Sequence, residues 1–304
     1  MIHRYTYKQL VWIDLESPTS EEVGEIMREF DLHPSVAQEI LLPTANPRIE
    51  LYKNFIYMIL HFPAIKHSHS GDSNQEIDFI IGKNFIITAR YDSIDALAKF
   101  SKIFEVNSIL DKSNMGDHIG FIFYYMVKEM YQSLSHELDY LKDSLKNIED
   151  QIFIGNEREM VVDLSKVSRD LLRFHHAMNA HKQVLRSFEP AALGFFSGDF
   201  SFYIKDLINE FYKINNSTES NIESLRELRE TNNSLLDAKQ NEVMKTLTVM
   251  AFIILPLSFI SSIYSMNTSF MPIVGAKNDF WIIIGSMVLV GVIIYLVFRH
   301  KKWI

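Results

Sequence analysis

The chain has 304 residues, 38 acidic and 30 basic, for a formal net charge of −8. That length suits one or two domains with a sizeable core, and the acidic balance argues against a nucleic-acid partner, which needs basic patches. The absence of cysteine excludes disulfide scaffolds, cysteine-type zinc sites and thiol catalysis.

The opening stretch MIHRYTYKQLVWIDL is too polar for a secretory signal peptide, so any membrane targeting falls to internal segments. Residues 12–15 read as a short strand bounded by Ser17-Pro18. Residues 19–30 have an N-cap candidate in Thr19 and place Val23, Ile26, Met27 and Phe30 on one helical face. Residues 50–62, 76–82 and 84–90 are β-rich, the last two joined by a turn at Gly82-Lys83-Asn84, with 66–75 a loop. Residues 117–153 keep a helical period, Ile154-Gly155-Asn156 breaks it, and 157–188 resume it until Glu189-Pro190. These two helices form an antiparallel hairpin. A glycine-containing link, 192–199, leads to a third helix over 200–264, in which only Pro256 interrupts. At 1.5 Å per residue that helix would extend about 97 Å, a length that calls for a bundle or an oligomer.

Residues 247–264 and 280–298 carry no charge and would each span about 27–28 Å, close to the hydrocarbon thickness of a bilayer. Lys245 precedes the first; Arg299, His300, Lys301 and Lys302 follow the second; the loop between holds only Lys277 and Asp279. The positive-inside rule puts both termini in the cytoplasm and the loop outside. The expected organisation is an α+β cytoplasmic domain over 1–115, a helical hairpin over 116–199, and a stalk helix over 200–264 that becomes the first membrane helix at about 247. An external loop over 265–279, a second membrane helix over 280–298 and a basic cytoplasmic tail over 299–304 complete it.

One face of the long helix stands out. Taking Glu219 as zero and advancing about 100° per residue, Glu223, Glu227, Glu230 and Asp237 share an acidic stripe. Asn241, Met244, Thr248, Ala251, Leu255 and Ser262 continue it as a small and polar stripe, with Ser258 on its edge at about 60°. A solvated helix face accounts for the acidic half, and helix–helix contact or back-bonding hydroxyls account for the small residues. A pore wall accounts for both. One such helix encloses nothing, but a symmetric ring of them can. The second membrane helix, apolar nearly all round, would face lipid.

The junction QNEVMKTLTVMAFIILPLSFISSIYSMNTSFMP (240–272), followed by a second apolar helix and RHKKWI, closely resembles the CorA family of magnesium and divalent-cation channels. The family's hallmark is Gly-Met-Asn, usually after Tyr, at the end of the first membrane helix. Tyr264, Met266 and Asn267 match it, and Ser265 stands in place of the glycine. Asn241, Met244, Lys245, Leu247, Thr248 and Pro256 also fit, as do cytoplasmic segments at 12–14, 32–41, 46–60 and 80–90. The resemblance implies a funnel-shaped homopentamer in a bacterial inner membrane, whose partners are further copies of itself, the lipid bilayer and divalent cations. Mg²⁺ is the first ion it implies, as cargo and as regulator, with Co²⁺, Ni²⁺ and Zn²⁺ behind it.

It also implies roles. Asn267 would offer a ring of neutral amide oxygens to the waters of a hydrated dication, beside Met266, Ser265 and Tyr264. Ser258 and Asn241 would supply deeper polar rings, Met244, Leu247, Ala251 and Leu255 a hydrophobic gate, and Asp95 and Asp206 a regulatory metal site between subunits. Two departures matter. If the family's glycine serves a left-handed or tightly packed backbone, serine at 265 would cost about 1–2 kcal/mol. The loop MPIVGAKNDF has Asp279 as its only acid, beside Lys277. The neighbouring readings are a zinc-transporting branch of the same family and a membrane-anchored sensor without transport. His67, His69, His175, His176 and His181 tempt a zinc reading, but adjacent helical histidines diverge by about 100° and read as surface residues. No P-loop, Gly-x-Ser-x-Gly or HExxH pattern argues for an enzyme.

Overall fold

The computed structural model describes residues 1–63, 75–110, 118–196, 200–266, 275 and 278–301, with the backbone alone at 107, 109 and 110. They divide into two compact units, Met1–Arg229 and Glu230–Ile304.

The first unit is built on a six-stranded sheet: β1 (Ile2–Tyr7), β2 (Leu10–Glu16), β3 (Arg48–Leu51), β4 (Ile56–Phe62), β5 (Gln75–Ile81) and β6 (Phe85–Arg90). Their order across the sheet is β1-β2-β6-β5-β4-β3, and only the β2–β6 pair is parallel. Strands β4, β5 and β6 are buried along nearly their whole length, and β4 accordingly reads as a nearly continuous apolar run instead of an alternating one. One face packs on α1 (Ser20–Phe30) and α2 (Pro34–Glu39) through Ile13, Leu15, Ile59, Ile80 and Ile87. Toward the other lie α3 (Asp95–Leu110), α4 (Gly120–Phe153) and α5 (Glu157–Phe195). There Trp12 meets Phe100 and Phe104 at ring distances of 5.4 and 5.7 Å, and Phe79 meets Phe123 at 5.4 Å.

Local chemistry sets several boundaries. Thr19 is the N-cap of α1 as expected, and Glu22 completes a reciprocal cap with it, at 2.9 and 3.3 Å. Residues 50–62, read as one run, are two antiparallel strands, because Tyr52 N–H bonds to the Phe55 carbonyl and closes a turn. The break at 154–156 between α4 and α5 is present, with Gly155 at φ 106°. Helix α5 does not stop at Pro190 but runs on to Phe195. Proline removes one backbone bond and tolerates a helix interior poorly, yet Phe188, Ala191 and Ala192 are buried there, and packing outweighs the local penalty. The third long helix, α6 (Ser201–Tyr264), continues through Pro256. In the first unit it buries Ile204, Leu207, Phe211 and Ile214, and Asn221 donates to the Leu138 carbonyl of α4 at 3.4 Å.

The second unit holds the rest of α6 and α7 (Asp279–His300). Both helices are long and apolar enough to cross a membrane. Among the described residues after 240, Val249 alone is buried on α6, and α7 has none. Apolar surface left this open needs lipid or other chains to cover it.

One histidine expected at the surface is instead fully buried. The ring of His181 on α5 bridges the His61 carbonyl of β4, at 2.9 Å from Nε2, and the Tyr131 hydroxyl of α4, at 3.0 Å from Nδ1. A neutral ring with the proton on Nε2 satisfies both, and burial pushes its pKa down to about 4. An unfolded histidine titrates near 6.5, so the contribution is complete above that pH and is lost as pH falls from 6.5 toward about 4, on the order of 3 kcal/mol. We expect the melting temperature to drop over that window in differential scanning fluorimetry, and His181→Gln to flatten the drop.

Candidate ion-conduction path

The candidate path is a matter of which side of α6 stays open. From Val249 to Tyr264 its half-buried positions are Ile253, Pro256, Leu257, Ile260 and Tyr264, together with the buried Val249. At about 100° per residue these centre on a face about 150° away from the Glu219 reference. Phe252, about 90° round from the centre of that face, meets Phe298 of α7 at a ring distance of 5.9 Å, so α7 lies to one side of the half-buried face. The predicted stripe lies opposite that face. Glu230, Asp237, Asn241, Met244, Leu247, Ala251, Leu255, Ser258 and Ser262 are all exposed. Pro256 is half-buried, so the proline that spoils one helical hydrogen bond is kept off the stripe. Thr248 is half-buried, and its hydroxyl donates to the Met244 carbonyl at 2.7 Å, which spends it on its own helix.

In the first unit, Glu223 and Glu227 are exposed as expected. Glu223 pairs with Arg226 at 2.7 Å, an exposed i,i+3 pair of small energetic weight. Glu219 accepts from Asn215 at 2.9 Å.

The end of α6 settles part of the question raised by Ser265. Its N–H lies 3.1 Å from the Ser261 carbonyl and 3.2 Å from that of Ser262, and Met266 N–H bonds to Ile263 at 3.2 Å. The last turn tightens to satisfy terminal carbonyls. Among the described non-glycine residues, positive φ occurs at Lys8, Ser17 and Asp31, so Ser265 needs no left-handed backbone. The left-handed strain expected at that position is absent, and its side chain is exposed within the single chain. Asn267, the principal selectivity residue expected, lies outside the described residues, as do His67 and His69.

The two aspartates proposed for regulation have different surroundings. Asp95 is the first residue of α3 and is exposed. Asp206, on α6, accepts from Tyr124 and from Lys128 of α4, the ammonium lying 2.7 Å from Oδ2. Those two donors hold its carboxyl below the usual carboxylate range. Sequence reasoning missed Tyr124 and Lys128. Their i,i+4 spacing is visible, but their partner is 78 residues further on for Lys128 and only the fold brings it there. His175 and His176 rings stand 6.3 Å apart and splayed, and no group of three metal-ligating side chains occurs among the described residues.

Residues 7–300 match the CorA-like Mg²⁺ transporter protein family. The cobalt/magnesium transport protein CorA of Methanocaldococcus jannaschii is 26% identical over 296 residues, covering 97% of this chain and 92% of its own. That of Thermotoga maritima is 24% identical over 295 residues, covering 96% and 83%. The complete CorA structure from M. jannaschii superposes with a TM-score of 0.84 at 25% identity, covering 99% of this chain and 94% of that one. The full-length CmaX structure shares the fold at a TM-score of 0.75 and 16% identity, covering 97% and 89%. A sheet domain, a helix of 64 residues and a second apolar helix, matched along almost the entire length, make this chain a member of the CorA-like Mg²⁺ transporter protein family.

Proposed function

We propose that this chain is one subunit of a homopentameric channel that passes hydrated Mg²⁺, with Co²⁺ or Ni²⁺ as further cargo. The observation that carries the reading is the stripe on α6 that stays open opposite the half-buried face of the same helix. A helix pair in lipid gains nothing from a row of asparagine and serine positions facing hydrocarbon. Turned toward four copies of itself, the same row lines a conduit. The names of the archaeal and Thermotoga relatives support the choice of cargo.

In this reading Mg²⁺ keeps its first-shell waters, which it sheds reluctantly. Five Asn267 amides accept hydrogen bonds from those waters without the grip of a carboxylate. Rings of Met244, Leu247, Ala251 and Leu255 close the pore by dewetting, and Glu223, Glu227, Glu230 and Asp237 concentrate cations at its cytoplasmic side. Cytoplasmic Mg²⁺ gates the assembly by relieving repulsion among acidic groups at subunit contacts, for which Asp95 and Asp206 are the candidates.

The test is uptake of Mg²⁺, Co²⁺, Ni²⁺ and Zn²⁺ into liposomes holding the full chain. We expect Mg²⁺ uptake that falls about tenfold or more in Asn267→Ala. Uptake of Zn²⁺ without Mg²⁺ would replace the cargo, and no uptake of any dication would leave a sensor or scaffold.

A further inference from the structure

The group at Asp206 invites a sharper question than whether a metal binds there. Tyr124 and Lys128 stand one helical turn apart on α4 and present their polar ends to the same carboxylate oxygen of α6. The ammonium also donates to the tyrosine oxygen at 2.7 Å, so the three groups form a closed triangle. The ammonium further lies 5.2 Å from the centre of the Tyr124 ring. The acid next to it in sequence, Glu129, does not compete for Lys128, because Lys99 of α3 pairs with it. Both Lys128 and Asp206 side chains are 29% exposed, so ions and water reach the pair.

This arrangement fits a dication poorly as it stands. Oδ2 has two donors on it already, and a dication at the same carboxylate would face the ammonium at close range. We propose that Lys128 is the resident cation of Asp206, and that Mg²⁺ reaches this carboxylate only by displacing it. Lys128 therefore sets the Mg²⁺ concentration at which the site responds. A lysine suits that part: its charge is a point on a flexible stem that swings away without unfolding the helix, whereas arginine would hold the carboxylate with a fixed fork. The inference rests on the reading that cytoplasmic Mg²⁺ gates this protein.

The experiment titrates Mg²⁺ protection of the full chain in nanodiscs against limited proteolysis, at constant ionic strength, with flux measured in parallel. In Lys128→Met, which keeps the stem and loses the charge, the protection midpoint should fall about tenfold. Lys128→Arg should keep the midpoint at or above that of the wild type. Asp206→Asn added to Lys128→Met should abolish the shift. A Lys128→Met midpoint equal to the wild type, or a shift that survives without Asp206, overturns the proposal while leaving Mg²⁺ gating intact. Absence of Mg²⁺ protection in the wild type overturns the gating reading and this inference together.

Discussion

Replacing Asp78 with asparagine is expected to raise the melting temperature near neutral pH, by an amount that widens as the pH is raised. Asp78 lies on β5 and is 1% exposed. One of its oxygens accepts from the Tyr57 hydroxyl at 2.9 Å; the other has no hydrogen-bond partner among the described residues. Glu76, two residues earlier on the same face, accepts the Thr44 N–H on both oxygens at 3.0 and 2.7 Å, and His61 Nε2 lies 3.1 Å from one of them. Glu76 also borders a cavity of about 510 Å³ with His61, Tyr91 and Asp92. Of the two acids, Glu76 is therefore the one equipped to carry charge. Burial, and then the charge of Glu76, push the Asp78 carboxyl well above its ordinary value of 3.8. The folded chain keeps a proton there that the unfolded chain releases. Stability consequently falls by about 1.4 kcal/mol per pH unit as pH rises from the unfolded value toward the folded one.

Asparagine cannot ionise. Its carbonyl still accepts from Tyr57, and its amide donates toward Glu76 where the carboxylic proton had been. The wild type loses stability with rising pH over this window and the variant does not. For a unit of this size each kcal/mol is worth about 2–4 °C. Thermal melts from pH 5 to pH 8 decide it: parallel curves for wild type and Asp78→Asn would mean that Asp78 is ionised in the fold. Asp78→Leu should be less stable than both, because it leaves the buried Tyr57 hydroxyl without its acceptor.

The sequence revealed most readily what depends on neighbours along one helix or one turn. The N-cap at Thr19, the turn between β5 and β6, the break at Gly155 and the two uncharged spans are all local patterns, and all are present. The open stripe on α6 was readable for the same reason, since helical spacing alone fixes which residues share a side. What escaped were features that arise when distant segments meet. Strand β1 alternates too weakly to announce itself; it pairs with β2 along its whole length, where Tyr5 stacks on Trp12 at 4.5 Å. His181 looked like a surface residue because its two partners come from β4 and α4. Asp206 looked like a metal-site acid with its ammonium partner unseen, for a similar reason. Its ammonium comes from another helix. Pro190 misled in the opposite direction, as a local stop signal overruled by burial around it.

Cysteine placed at Leu255 should be modified by a charged thiol reagent, and modification should lower Mg²⁺ flux about tenfold or more, while cysteine at Leu289 should remain unmodified with flux unchanged. The chain has no cysteine of its own, so each substitution is the sole thiol present. Exposure within one subunit cannot separate the two positions, because Leu255 is 67% exposed and Leu289 63%. Water can. A thiol reacts as the thiolate, and a thiol surrounded by hydrocarbon does not ionise. Leu255 falls at the centre of the stripe opposite the half-buried face of α6; on a shared conduit it meets water whenever the gate is wet. A bulky charged adduct there both narrows the passage and repels the cargo. Leu289 belongs to α7, whose described side chains are apolar nearly throughout and none of them buried, as a lipid-facing helix requires. Gating adds a further constraint: raising cytoplasmic Mg²⁺ should slow modification of Leu255→Cys as the apolar rings dry. Reaction at Leu289 in preference to Leu255 would place the conduit along α7 and reverse the assignment of the two helices.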